Sequence, residues 1–320
     1  MASAPGAGVT RVSRFLILLA TLALGLPPVA RAQKTHVLIV NGLAGEPRFR
    51  TPFVQTATML ADTARLRWGV ADSSLIVLTE ASHGAARRTG SSTRDDISRA
   101  FLRLSHRVAP GDVLLVFLNG HGSGEGLGSR VSLPGPDATA ADFAGWLAGF
   151  GRQTVVFVNA ASGSGDFVSA LAKPGRIVVA ATRTAIERNE TTFAAPFVRG
   201  LTGSEADADK DGRVSVLEAF DYARKEVERA YEADNRMLTE HAVLSDASLA
   251  RAVAFGGARA STDPRVVALV AERQALESKV AALRAGKDAL DPTAYERELE
   301  GLLVTIAEKT QAIRAAGGRP

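Results

Sequence analysis

Five short apolar runs alternate with amphipathic stretches between residues 36 and 181, and this alternation restricts the chain to one class of fold. The runs are His36-Val37-Leu38-Ile39-Val40, Ser74 to Leu78, Asp112 to Leu118, Thr154 to Val158 and Arg176 to Ala181. Each is too short for an ordinary helix. Apolar residues occupy consecutive positions, as in strands buried on both faces. Between the runs lie helical stretches at Pro52 to Trp68, at Thr93 to about His106, and at Asp142 to Phe150. Thr93-Arg94-Asp95-Asp96 reads as a capping box that opens the second of these. The pattern predicts an α/β fold with a mostly parallel sheet flanked by helices. In such sheets, ligands bind beyond the carboxyl ends of the strands.

The N-terminus reads as a leader. Arg11 and Arg14 precede an uncharged apolar run, Phe15 to Leu26, and Ala30-Arg31-Ala32 fits an A-x-A cleavage site. The run falls short of the ~20 apolar residues that a membrane-spanning helix needs. Residues 1–32 are therefore expected to be a signal peptide, and the mature chain to be exported, to the periplasm or outside the cell. The formal charge is +4, and residues 1–32 hold three arginines and no acid, so the mature chain carries +1. That near-neutral balance gives no argument for a nucleic-acid or membrane partner. The chain has no cysteine, which excludes a thiol nucleophile, a thiolate metal site and disulfides.

Two turns lie just past strand ends. Asn119-Gly120-His121-Gly122 follows the third run and delivers a histidine, the usual general base near neutral pH. Asn159-Ala160-Ala161-Ser162-Gly163-Ser164-Gly165 follows the fourth. Its small residues would let a substrate backbone approach, and the next helix N-terminus would offer amides to an oxyanion. Ser162 or Ser164 with His121 meets the requirement of a hydroxyl nucleophile for an adjacent base. The segment after the fifth run, with Arg183, Arg188, Asn189 and Glu190, reads as a solvated loop or as a wall for an acidic group.

The segment GDVLLVFLNGHGS, residues 111–123, resembles the histidine segment of the caspase- and legumain-like (clan CD) cysteine peptidases. The segment VVFVNAASGSGDF, residues 155–167, resembles their next strand, which ends in an acid, Ala, the catalytic Cys, any residue, then Ser-Gly. The resemblance spans roughly residues 35–245 and implies a caspase-like sheet. Aligning Ser164-Gly165 with the Ser-Gly pair puts Ser162 at the cysteine position. Aligning Asn159-Ala160 with the acid-Ala pair puts Ala161 there. The first alignment allows a Ser162/His121 dyad in an active peptidase or esterase. The second leaves a pseudoenzyme that binds a peptide or protein ligand or regulates.

Asp207-Ala208-Asp209-Lys210-Asp211-Gly212-Arg213-Val214-Ser215-Val216-Leu217-Glu218 fits an EF-hand-type calcium loop. Asp207, Asp209 and Asp211 supply carboxylate oxygens, Gly212 permits the sharp turn, and Arg213 offers its carbonyl. Ser215 binds directly or through water, and Glu218 closes the site. Helical stretches flank the loop, at about Phe193 to Leu201 and at Val216 to Ala233. The competing reading is an acidic turn that caps the second helix near Ser215. No second loop of this kind occurs in the sequence, which suits a stabilising role better than a signalling one. Glu240, His241 and Asp246 fit no ligand spacing, and no phosphate loop of the G-x-x-x-x-G-K type is present.

The tail carries heptads. Val266, Leu269, Leu276, Val280 and Leu283 form one set, interrupted by Arg273, and Tyr295, Leu299, Leu302, Ile306 and Ile313 form another, interrupted by Lys309. Gly286 to Pro292 divides them. A helical hairpin or coiled coil is expected, serving homo-oligomer formation or folding back on the domain. The predicted organisation is a signal peptide at 1–32, an α/β domain at 33–257 and a linker with helical tail at 258–320.

Overall fold

The computed structural model describes residues 33–80, 89–255, 263–285 and 291–316. The expected leader lies outside these residues, as do most of the expected linker before the tail and the break between its two halves.

The centre is a seven-stranded sheet in the order β10-β9-β8-β4-β1-β2-β3. Its members are β1 (Thr35–Asn41), β2 (Leu75–Thr79), β3 (Gly90–Ser91), β4 (Val113–Asn119), β8 (Thr154–Asn159), β9 (Arg176–Ala180) and β10 (Val243–Leu244). All neighbours pair in parallel except β10, which runs antiparallel on β9. The five strands expected from the apolar runs are all present, each within about one residue of its predicted ends. The two-residue edge strands β3 and β10 were not foreseen, because so short a pairing leaves no period to read.

Alternation along the central strands divides the core. Val37, Ile39, Leu115, Phe117, Val156 and Val158 face one layer, with α1 (Pro47–Leu66), α5 (Ala194–Thr202) and α6 (Val216–Ala233). Leu38, Val40, Leu114, Val116, Val155 and Phe157 face the other, with α2 (Arg94–Ser105), α3 (Ala140–Trp146) and α4 (Asp166–Leu171). Both faces are covered, which is why the strands read as unbroken apolar runs. In the second layer, Phe143 packs edge-on against Phe157 at 5.3 Å and Phe101 at 6.1 Å between ring centroids.

Helix α1 starts five residues before the predicted boundary. Pro47 takes the first-turn place, where a missing N–H costs nothing, and Pro52 lies inside the helix. A small antiparallel sheet, β5 (Gly122–Ser123), β6 (Arg130–Val131) and β7 (Ala138–Thr139), folds over the carboxyl edge. A short helix, α7 (Ala247–Ala252), follows β10. The tail forms α8 (Pro264–Ala285) and α9 (Pro292–Ala315), packed on each other, with Lys309 paired to Glu272 at 2.6 Å. Among the described residues, no helix is long and apolar enough to cross a membrane.

Strand order positions the site. From β1 the chain moves to β2 on one side, then returns with β4 on the other. The crevice of such a sheet opens at this reversal. Asn41 and Asn119, the last residues of β1 and β4, are register partners there.

Candidate functional site

His121 stands two residues past β4, beside the reversal. Its ring is half-buried between two α1 aromatics, Phe49 at 4.8 Å edge-on and Phe53 at 5.5 Å. Its Nε2 lies 3.1 Å from the Ala44 carbonyl oxygen. A carbonyl only accepts, so this contact assigns the hydrogen to Nε2 and leaves Nδ1 as the basic nitrogen.

Ser162 follows β8, the neighbour of β4, so the structure brings it to the same edge as His121. Its hydroxyl oxygen accepts from the Gly122 amide at 3.2 Å, and the hydroxyl donates to the Gly122 carbonyl at 3.4 Å. Only 4% of the residue is exposed. Among the described residues, no hydrogen bond joins His121 to Ser162 or Ser164. Ser164 is buried and tied to Thr182, just past β9. Its amide donates to Thr182 Oγ1 at 2.8 Å, and its hydroxyl lies 3.3 Å from the same oxygen. Ala161, the other candidate for the cysteine position, is fully buried.

The backbone donors of this turn are also occupied. The Gly163 amide donates to the Glu187 carbonyl at 2.9 Å, and the Gly165 amide to Thr182 Oγ1 at 3.2 Å. The glycines serve the same internal packing. A Cβ on Gly165 would come within 2.2 Å of Arg183 backbone, and one on Gly122 within 2.4 Å of the Ser162 carbonyl. Small residues here therefore admit the chain's own loop, residues 183–187, where the sequence had suggested room for a substrate backbone. Glu187 anchors that loop. Its carboxylate accepts from the Arg183 amide at 3.0 Å and lies 2.9 Å from His241 Nδ1. Arg183, Arg188, Asn189 and Glu190 are exposed.

Glu240, His241 and Asp246 do not converge on a shared point. Glu240 is buried and accepts from the Thr192 and Phe193 amides at 2.8 and 2.9 Å, at the start of α5. Burial pushes its carboxyl up, against the pull of the Thr192 and Phe193 donors. Asp246 caps α7 through the Leu249 amide at 2.9 Å.

The acidic loop is a second, separate cluster, between α5 and α6. One carboxylate oxygen from each of Asp207, Asp209 and Asp211 lies within 4.8 Å of the others. Lys210 at φ 58° and Gly212 at φ 85° fold the loop through the left-handed region. The Asp207 carboxylate accepts from the Asp211 and Gly212 amides at 3.1 and 2.9 Å, and Asp211 Oδ1 accepts from the Arg213 amide at 2.7 Å. Glu218 Oε1 accepts from the Ala208 and Asp209 amides at 3.0 and 3.4 Å, so this carboxylate lies across the loop. Its other oxygen completes a capping box with Ser215. The loop thus has both the carboxylate cluster and the cap, which the sequence had posed as alternatives. The donors are all hard oxygens, three of them from aspartates clustered on one loop, and they fit a divalent cation of the calcium or magnesium kind. Burial first, then the neighbouring Asp211 carboxylate, pushes the Asp209 carboxyl up.

Sequence reading missed Thr182, Glu187 and Arg273. Thr182 and Glu187 carry no periodic signal. Arg273 did, because it occupies a seam position of the α8 heptads, and only 5% of it is exposed. One of its Nη atoms lies 3.2 Å from Asp211 Oδ2 and 3.1 Å from Glu277 Oε1.

No protein-family model matches the chain, and no curated protein is similar to it in sequence. Among solved structures, it is similar to a secreted C11 cysteine protease from Bacteroides thetaiotaomicron, solved in complex with an irreversible peptide inhibitor. The TM-score is 0.35 at 11% identity, over 62% of this chain and 60% of that one. The chain therefore spans less than two thirds of that protease's length, and the likeness is one of distant arrangement.

Proposed function

We propose that this chain is an exported, calcium-binding protein on a caspase/legumain-like scaffold that holds peptide segments at the carboxyl edge of its sheet without cleaving them. One observation carries the reading. The groups that hydrolysis needs free at this edge are bonded to one another: the Ser162 hydroxyl to Gly122, the Gly163 amide to Glu187, and the Ser164 and Gly165 amides to Thr182. Acyl transfer needs a nucleophile within reach of its base and donors aimed at the developing oxyanion. His121 keeps Nδ1 as an acceptor for a ligand. Leu43, Leu127 and Ile186, all exposed, sit on loops that follow β1, β5 and β9 and offer apolar contact. Export rests on the leader pattern, and calcium on the donor chemistry of Asp207, Asp209 and Asp211. When bound, the cation would neutralise the loop and fix the start of α6.

The hydrolase alternative draws on one fact: Ser162 Oγ already lies against the residue next to His121. For that chemistry the hydroxyl must leave Gly122, reach His121 Nδ1 and find an unoccupied amide pair.

Incubation with a mixed peptide library, with and without millimolar calcium, separates the readings by mass spectrometry. The proposal expects peptides that co-purify with the protein intact. Fragments that disappear in Ser162→Ala would establish the hydrolase and overturn it.

A further inference from the structure

The acidic loop already holds a cation, and that cation belongs to the tail. Arg273 lies on α8, 62 residues beyond Asp211 in sequence, with 6% of its side chain exposed. Its guanidinium bonds Asp211 Oδ2 and Glu277 together, while its Nε is buried without a partner. A buried guanidinium at a seam position costs stability unless it meets negative charge. Here the meeting place is the carboxylate cluster of another part of the chain. The Arg213 amide holds Asp211 Oδ1 from within the loop and Arg273 holds Oδ2 from the tail, so a cation that takes Oδ2 meets the guanidinium.

We infer that Arg273 acts as a built-in counter-ion, and that docking of the α8–α9 hairpin and occupancy of the loop by a divalent cation exclude each other. The inference rests on the calcium reading of the loop. Calcium bonds to carboxylate oxygen at about 2.3–2.6 Å. At that distance from Asp211 Oδ2 it would stand beside the guanidinium, two positive centres sharing one oxygen within a few ångströms. Cation binding therefore displaces Arg273 and lifts the hairpin from the domain. The device converts a rise in free calcium into release of the tail. It also sets the affinity of the loop. A hairpin docked about 90% of the time lowers apparent calcium affinity about tenfold relative to the undocked chain.

The chain has no cysteine, so two introduced ones can be labelled uniquely. Spin labels at Lys225→Cys on α6 and Lys279→Cys on α8, both exposed sites, report the distance between domain and hairpin. Isothermal titration of the same full-length protein reports calcium binding. The expected result is a narrow distance without calcium that lengthens and broadens at saturation. Arg273→Met should start in the long-distance state and bind calcium about tenfold more tightly. Calcium binding with an unchanged distance, or with equal affinity in Arg273→Met, would overturn the exclusion and leave the loop reading standing. Absence of calcium binding in both proteins would overturn both. Circular dichroism of Arg273→Met confirms that the domain remains folded, and Arg273→Lys, which keeps a charge but loses the fork, should fall between the two.

Discussion

The Ser162 hydroxyl oxygen accepts a hydrogen bond from the Gly122 amide at 3.2 Å, directly beside His121. This places the candidate nucleophile on a backbone donor and ties the turn after β8 to the turn after β4. The two motifs that read as halves of a catalytic site therefore work in the structure as a clasp between neighbouring strand ends.

A clasp predicts a stability role for the hydroxyl. Ser162→Ala removes the hydroxyl that accepts from the half-buried Gly122 amide, and unfolding in urea should show a loss of about 1 kcal/mol. Peptide capture should persist at an unchanged level. An alanine variant as stable as the parent would show that the clasp contributes nothing.

The Glu240 carboxylate gathers three donors, the amides of Thr192 and Phe193 and the Thr192 hydroxyl, at the entry to α5. Glu240→Gln turns an acceptor-only group into one that presents N–H to at least one of those amides. Chemical denaturation should register a loss of about 1–3 kcal/mol. Because α5 leads into the acidic loop, calcium affinity is expected to weaken alongside.

Asp142 supplies a pH signature. It closes the capping box of α3 with Thr139 and takes both Nε and Nη2 of Arg94, at 3.1 and 2.5 Å. The Arg94 guanidinium, with smaller help from Thr139, holds its carboxyl down at about 2 against an ordinary 3.8. A depressed carboxyl contributes its full stability above the unfolded value. That contribution declines as pH falls through about 4 and is gone below about 2. With Arg94 partly in solvent, screening reduces the effect to about 1 kcal/mol. Asp142→Asn should flatten that part of the acid limb in a denaturation series from pH 5 to 2, whereas an unaltered limb would remove Asp142 as its source.

Calcium bound to the folded loop alone stabilises by linkage, about 2.7 kcal/mol at a hundredfold excess over Kd. For a domain of this size the melting temperature should rise by about 5–10 °C. Asp207→Ala, which removes a carboxylate holding the Asp211 and Gly212 amides, should abolish the rise. A melting curve indifferent to millimolar calcium in the parent protein would contradict the calcium reading.

Legibility followed periodicity. The five central strands were readable because β1, β2, β4, β8 and β9 are buried on both faces, which leaves unbroken apolar runs in the sequence. The strand-end placement of His121 and Ser162 followed from those runs. The state of the site was not readable, because it depends on Thr182 and Glu187. Those residues reach the Ser162 turn only once β9 lies beside β8, and no local pattern marks them. The acidic loop showed the opposite case, since its spacing is local and its three aspartates do converge. Its tertiary partner, Arg273, was visible only as a flaw in the α8 heptads. A buried charge at a seam position was a sign that an opposite charge waits elsewhere in the fold.

The central claim, that this edge holds peptides without chemistry, is tested most directly by labelling with a serine-directed fluorophosphonate. Intact-mass measurement of the folded protein after prolonged exposure should show no adduct, because the Ser162 hydroxyl is buried on Gly122 and unlinked to His121. A stoichiometric adduct on Ser162 that disappears in His121→Ala would contradict the account and establish a working dyad.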